Sequence, residues 1–196
     1  MKRDAAPTRE ALHEAALSYL SRSAATASAV TKTLERRVNA WRRRALRAGA
    51  DEDEVERDAA RARAAIAIVV ERLCEVGIVN DAAYAEARAG SLARSGHSRR
   101  AIVSRLAAKG VDAEIVREKV PRDARLELAA AVAFARKRRI GPFAREPGPK
   151  RFDEDGAGPH AKALGAMARA GFDFSVCERV LRMDLDDAEA LLREHR

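Results

Sequence analysis

The sequence predicts an all-α protein built from three tandem three-helix repeats in an elongated, curved arrangement. Apolar residues recur at steps of three and four, the spacing of a helix face, and not in the alternation of a strand. Glycine, an apolar residue and aspartate recur together as punctuation in "AGAD" (48–51), "VGIVND" (76–81), "KGVD" (109–112) and "AGFD" (170–173). Glycine just past a helix accepts the left-handed backbone, the apolar residue packs back, and the aspartate offers an acceptor to the next helix. Helix frames also match at fixed offsets. "SAATASAVTKTL" (23–34) aligns with "SGHSRRAIVSRL" (95–106), setting Thr26 on Ser98 and Leu34 on Leu106. "AIVSRLAAKGVDAEIVREKV" (101–120) aligns with "KALGAMARAGFDFSVCERVL" (162–181), setting Gly110 on Gly171 and Ile115 on Val176.

The elements follow in order. Residues 1–8 are expected to form a disordered tail. The first repeat, 9–80, holds helices at 9–22, 26–47 and 51–76. Its third helix is the clearest, with Val55, Ala59, Ala62, Ile66, Val69, Val70 and Leu73 on one stripe and six acids over 51–58 at its positive dipole end. The second repeat, 81–121, holds 81–95, 98–109 and 112–120. The third, 122–196, holds 122–140, 159–170 and 173–183, with a closing helix at 185–194 capped by Asp184 or Asp186. Residues 141–159, "GPFAREPGPKRFDEDGAGP", carry four Pro and four Gly, and are expected to be an inserted exposed loop. Units this small hide their apolar stripes only partly, so they are expected to stack and to present long surfaces.

The 196 residues are 47% hydrophobic but only 4% aromatic, which implies close-packed, alanine-rich helices around modest cores. No apolar run reaches membrane-spanning length, and the N-terminus has no signal-peptide core, so a cytoplasmic location is expected. Cys74 and Cys177 stand far apart at helical spacing from apolar neighbours and read as buried thiols. Trp41, Tyr84 and Phe134 read as packing residues.

No enzyme is expected. The four histidines are scattered without metal-ligand spacing, and no nucleophile elbow, phosphate loop or dinucleotide fingerprint occurs. Helix capping accounts for the acidic runs, so neither a metal nor a cofactor is called for.

The charge is the functional signal. The formal net charge is +8, and residues 88–151 carry 17 Lys and Arg against 6 Asp and Glu. A polyanion or an acidic protein fits such a surface, although an arginine- and alanine-rich composition also accounts for part of it. The candidate contacts are Arg42, Arg43 and Arg44; Arg99, Arg100, Arg105 and Lys109; Arg136, Lys137, Arg138 and Arg139; and Lys150 with Arg151. The third cluster is the sharpest, because four successive cations repel one another and a phosphate or carboxylate relieves them.

The stretches "ALSYLSR" (16–22), "LCEVGIVNDAAYAEARAGSLARSG" (73–96), "IVSRLAAKGV" (102–111), "FARKRRIGPF" (134–143) and "AMARAGFDFSVCERVL" (166–181) resemble the RecX family, regulators of the bacterial RecA recombinase. A monomer is expected; the resemblance implies tandem three-helix units. It further implies binding in the groove of the RecA–DNA filament, with inhibition of recombinase and ATPase activity, and contact with single- or double-stranded DNA. Cellular roles in recombination, DNA repair and the SOS response follow from it. It transfers no catalytic residues. Two departures stand out: an extension at about 39–55, rich in arginine and then acid, and the long loop at 141–159. The rival readings are a DNA-binding protein acting without RecA through a basic helical surface, and a plain interaction scaffold.

Overall fold

The computed structural model describes residues 5–144 and 158–195. Among these residues there are ten α-helices, one 3-10 turn and no strand. The helices are α1 (Arg9–Leu20), α2 (Ala27–Arg47), α3 (Glu52–Glu75), α4 (Asp81–Arg94) and α5 (Arg99–Ala108). They continue as α6 (Ala113–Lys119), α7 (Ala124–Arg138), α8 (Pro159–Arg169), α9 (Phe174–Leu181) and α10 (Leu185–Glu194). No helix among the described residues is long and apolar enough to cross a membrane.

The chain divides into two compact units. The first runs to Tyr84 and includes Lys109–Asp112; the second holds Ala85–Ala108 and the chain from Ala113 onward.

In the first unit, α2 and α3 form the main pair and α1 lies against both. The stripe Val30, Leu34, Val38, Trp41 is buried, facing the stripe that runs from Val55 to Leu73 on α3. Trp41 is therefore a core anchor, as its helical spacing predicted. Cys74 departs from expectation: it is exposed, because the α3 stripe passes through Val70 and Leu73 and leaves position 74 at its edge. Residues 5–8, expected in an unstructured tail, instead contribute structure. Ala6 packs on the first core, and Thr8 caps α1 by accepting from the Ala11 amide at 3.3 Å.

In the second unit, α7 lies in contact with α8, α9 and α10. The run Leu128–Ala133 is buried along its whole length because apolar side chains cover all sides of this helix. Phe134 meets Phe172 edge-on with ring centroids 5.6 Å apart, and Cys177 is buried beside them. The expected loop begins differently from its reading, because Gly141–Phe143 form a 3-10 turn with Pro142 near its start. Residues 145–157 of that segment lie outside the described residues.

The aligned positions do the same structural work. Thr26, fully buried, accepts from the Ala29 amide (3.1 Å) and donates its hydroxyl to the Lys109 carbonyl (2.7 Å). Ser98, also fully buried, accepts from the Ala101 amide (3.2 Å) and donates to the Ala170 carbonyl (2.7 Å). A carboxylate completes each junction. Asp81 accepts from the Ala27 amide at 2.8 Å, and Glu127 accepts from the Arg99 amide at 2.9 Å. Free N–H groups at the starts of α2 and α5 are thus satisfied by side chains remote in sequence.

The glycine after each accepting carbonyl is required by both backbone and space. Gly110 has φ +76°, and a Cβ there would stand 2.3 Å from Ser28 Oγ. Gly171 has φ +92°, and its Cβ would stand 2.7 Å from Ser98 Oγ. Two of the predicted aspartate caps are corrected. Asn80, and not Asp81, caps α4 by accepting from the Ala83 amide at 2.9 Å, which leaves Asp81 for α2. Asp173 occupies the capping position of α9 without a side-chain capping bond. Asp51 and Asp184 cap as read, accepting at 2.8 Å from Glu54 and Asp187 respectively.

Candidate functional site

The structure distributes the predicted basic residues unequally. In the first unit, Arg42 pairs with Glu56 across α2 and α3, and that carboxylate raises its already high pKa further. The arginine-rich end of α2 and the acid-rich start of α3 thereby neutralise one another in part. Arg43 and Arg44 are exposed, as is Lys109, whose carbonyl is held by Thr26.

In the second unit, Arg100 and Arg105 are exposed on α5. Arg99 is half-buried, and its Nε donates to the carbonyls of Val120 (2.9 Å) and Pro121 (3.3 Å). This residue therefore tethers the end of α6 as well as carrying charge. Lys150 and Arg151 lie outside the described residues.

The run at the end of α7 is the most prominent exposed charge. Arg136, Lys137, Arg138 and Arg139 are all exposed, and none forms an ion pair among the described residues. Arg138 lies over the Phe134 ring, 5.7 Å from its centre, which orients one cation without neutralising it. The helix ends at Arg139, which adopts φ 56°, ψ 49°. The Ile140 amide then bonds the Ala135 carbonyl at 3.1 Å, closing the last turn. Arg139 is the one non-glycine residue with positive φ among those described, so a cation sits where glycine is usual.

Arg99 and Arg136 come together on a cavity of about 440 Å³ in the second unit, lined also by Arg94, Lys119, His97 and His195. The sequence reading missed these last four, which lie outside its basic clusters. A signal for Arg94 was present, since Glu86, Ala89, Gly90, Ala93 and Arg94 share one face of α4 at steps of three and one. No group of His, Cys, Asp or Glu among the described residues is placed to hold a metal ion.

Residues 80–119 match the family model described as RecX, second three-helix domain. Across 174 residues the chain is 39% identical to Regulatory protein RecX of Myxococcus xanthus (strain DK1622), covering 87% of this chain and 83% of that protein. The chain belongs to the RecX family. A second RecX relative, from Agrobacterium fabrum (strain C58), is 38% identical over 117 residues, 59% of this chain and 58% of its own length. No solved structure matches the chain. The RecX model ends at residue 119, where α6 ends, and begins at Asn80, the cap of α4.

Proposed function

We propose that this chain is a RecX-type regulator that binds the RecA–DNA filament and restrains its recombinase and ATPase activities. The observation that carries the reading is the alignment with a protein named Regulatory protein RecX over 87% of the chain. The exposed cations at Arg136–Arg139 support it, because a filament offers both DNA phosphates and acidic protein surface. On this reading the chain works as three consecutive modules, 9–80, 81–121 and 122–196, with the equivalent roles of Thr26 and Ser98 supporting the repeat. Several modest contacts spread over modules give avidity without a deep catalytic pocket. The protein would act as a monomer in the cytoplasm.

The test is RecA's DNA-dependent ATPase, followed with the purified chain at substoichiometric and equal concentrations beside filament lifetime. A fall in rate or lifetime is expected; no change in either rejects the reading. The second reading, DNA binding without RecA, rests on the same four cations. It predicts affinity for bare DNA that falls steeply with salt and gains nothing from recombinase.

A further inference from the structure

The second unit carries an open groove that the basic-cluster reading leaves unassigned. Its walls are two helix stripes. On α7, Leu126, Ala129, Ala130, Ala133 and Arg136 line it, at steps of three, one, three and three. On α4, the matching wall is Glu86, Ala89, Gly90, Ala93 and Arg94. Alanine and glycine on facing stripes leave the space between unfilled, and Ile102 and Leu192 complete an apolar lining. At about 440 Å³ the cavity is large enough to seat apolar side chains of a partner. Leu126 at its edge is 48% exposed, a large apolar side chain without a cover.

The groove carries charges of both signs, and several of them have internal duties. Asp123 caps α7, accepting from the amides of Arg125 (2.8 Å) and Leu126 (3.0 Å). Glu127 accepts from the Arg99 amide, Lys119 pairs with Glu118 at 2.9 Å, and Glu86 stands exposed on the α4 wall. Arg94 on one wall and Arg136 on the other have no carboxylate partner among the described residues. The groove therefore offers apolar surface with two unpaired cations, Arg94 and Arg136, against one exposed carboxylate, Glu86. DNA satisfies only half of that description, because a phosphate gains nothing from an alanine lining and loses hydration against it.

We propose that this groove docks an acidic amphipathic segment of a protein partner, with an aliphatic side chain seated against Ala93 and Leu126 and carboxylates meeting Arg94 and Arg136. It deepens the regulator reading, on which only the identity of the partner, the recombinase, depends. Helix-in-groove recognition of this kind takes anchors at helical spacing.

The experiment uses the full chain and two variants. Gly90 has ordinary helical backbone, and a Cβ there meets only the tip of Arg94 at 3.2 Å, a flexible side chain, so Gly90→Leu is expected to fold and to put bulk into the groove. Arg94→Glu reverses one wall charge. The probe is a fluorescein-labelled helical peptide with leucines on one face and glutamates beside them, titrated by anisotropy. Thermal melting is followed in parallel, with Gly90→Leu expected to melt no lower than the parent. Both variants are expected to lose about tenfold or more in affinity for the peptide. Absence of peptide binding by the parent, or equal binding by all three chains, overturns the proposal. So does a single-stranded oligonucleotide whose binding, and not the peptide's, is lost in Gly90→Leu.

RecA filaments form the second arm. Filaments that retain Gly90→Leu as well as the parent overturn the recombinase as the occupant of the groove and leave the regulator reading standing. A parent that ignores filaments yet holds the peptide through Gly90 removes that reading and supports the groove.

Discussion

At the scale of the residue, two buried hydroxyls hold the helix junctions. Thr26 and Ser98 each satisfy one amide and one carbonyl in a fully buried setting. Removing the hydroxyl leaves both groups without a partner, which costs about 1–3 kcal/mol. Thr26→Val and Ser98→Ala are each expected to lower unfolding free energy by that amount in urea titrations; loss from only one would show that the junctions are not equivalent. Glu127 gives a pH signature. Burial pushes its carboxyl above the ordinary range, against the Arg99 amide bond that lowers it. The folded chain therefore holds this proton more tightly than the unfolded chain does. The stability this group contributes is present at low pH and is lost as pH rises through its raised folded value. Glu127→Gln keeps an acceptor oxygen and removes the half-buried charge. Its stability relative to the parent is expected to grow as pH rises from about 4 to about 7. A constant difference across that range would remove the charge as the cause.

At the scale of the element, the ends of helices carry most of the specificity. Arg139 holds a left-handed backbone that favours glycine, so Arg139→Gly is expected to stabilise the chain by about 1 kcal/mol in thermal melts while removing one exposed cation. Gly171→Ala is expected to move the other way, because φ +92° and the nearby Ser98 hydroxyl both resist a Cβ. The order and type of the helices were legible from the spacing of Val55 to Leu73, from glycine stops and from the acids at 51–58. The partners of the caps were not. Asp81 and Asp173 carry the same local signature as Asp51, yet one serves α2 and the other makes no side-chain capping bond. A free amide takes whichever acceptor the packing brings near, and periodicity carries no information about that.

At the scale of the whole molecule, charge is the property that function draws on. If Arg136–Arg139 meet phosphates, log affinity for DNA falls linearly with log salt, and each lost contact flattens the slope by about 0.7–0.9. Glutamate substitution at all four positions is expected to weaken DNA binding and flatten that slope by several such increments, measured by anisotropy at a series of salt concentrations. An unchanged slope would place the contact elsewhere. Exposure of these four cations was readable from their succession, since no helix face can bury four neighbours at once. Arg42 was not readable in the same way, because its neutralising partner, Glu56, arrives through the pairing of α2 with α3.

The sequence by itself determined which segments are helical, where glycine must end them and that positive charge concentrates between residues 88 and 151. These are local properties, set by spacing along the chain and by the backbone each residue tolerates. Only the tertiary structure decided which cations remain unpaired, which carboxylates cap distant helices and where alanine-lined stripes leave a groove. Each of those depends on side chains far apart in sequence meeting across a packed interior, as Thr26 meets the Lys109 carbonyl and Ser98 meets that of Ala170.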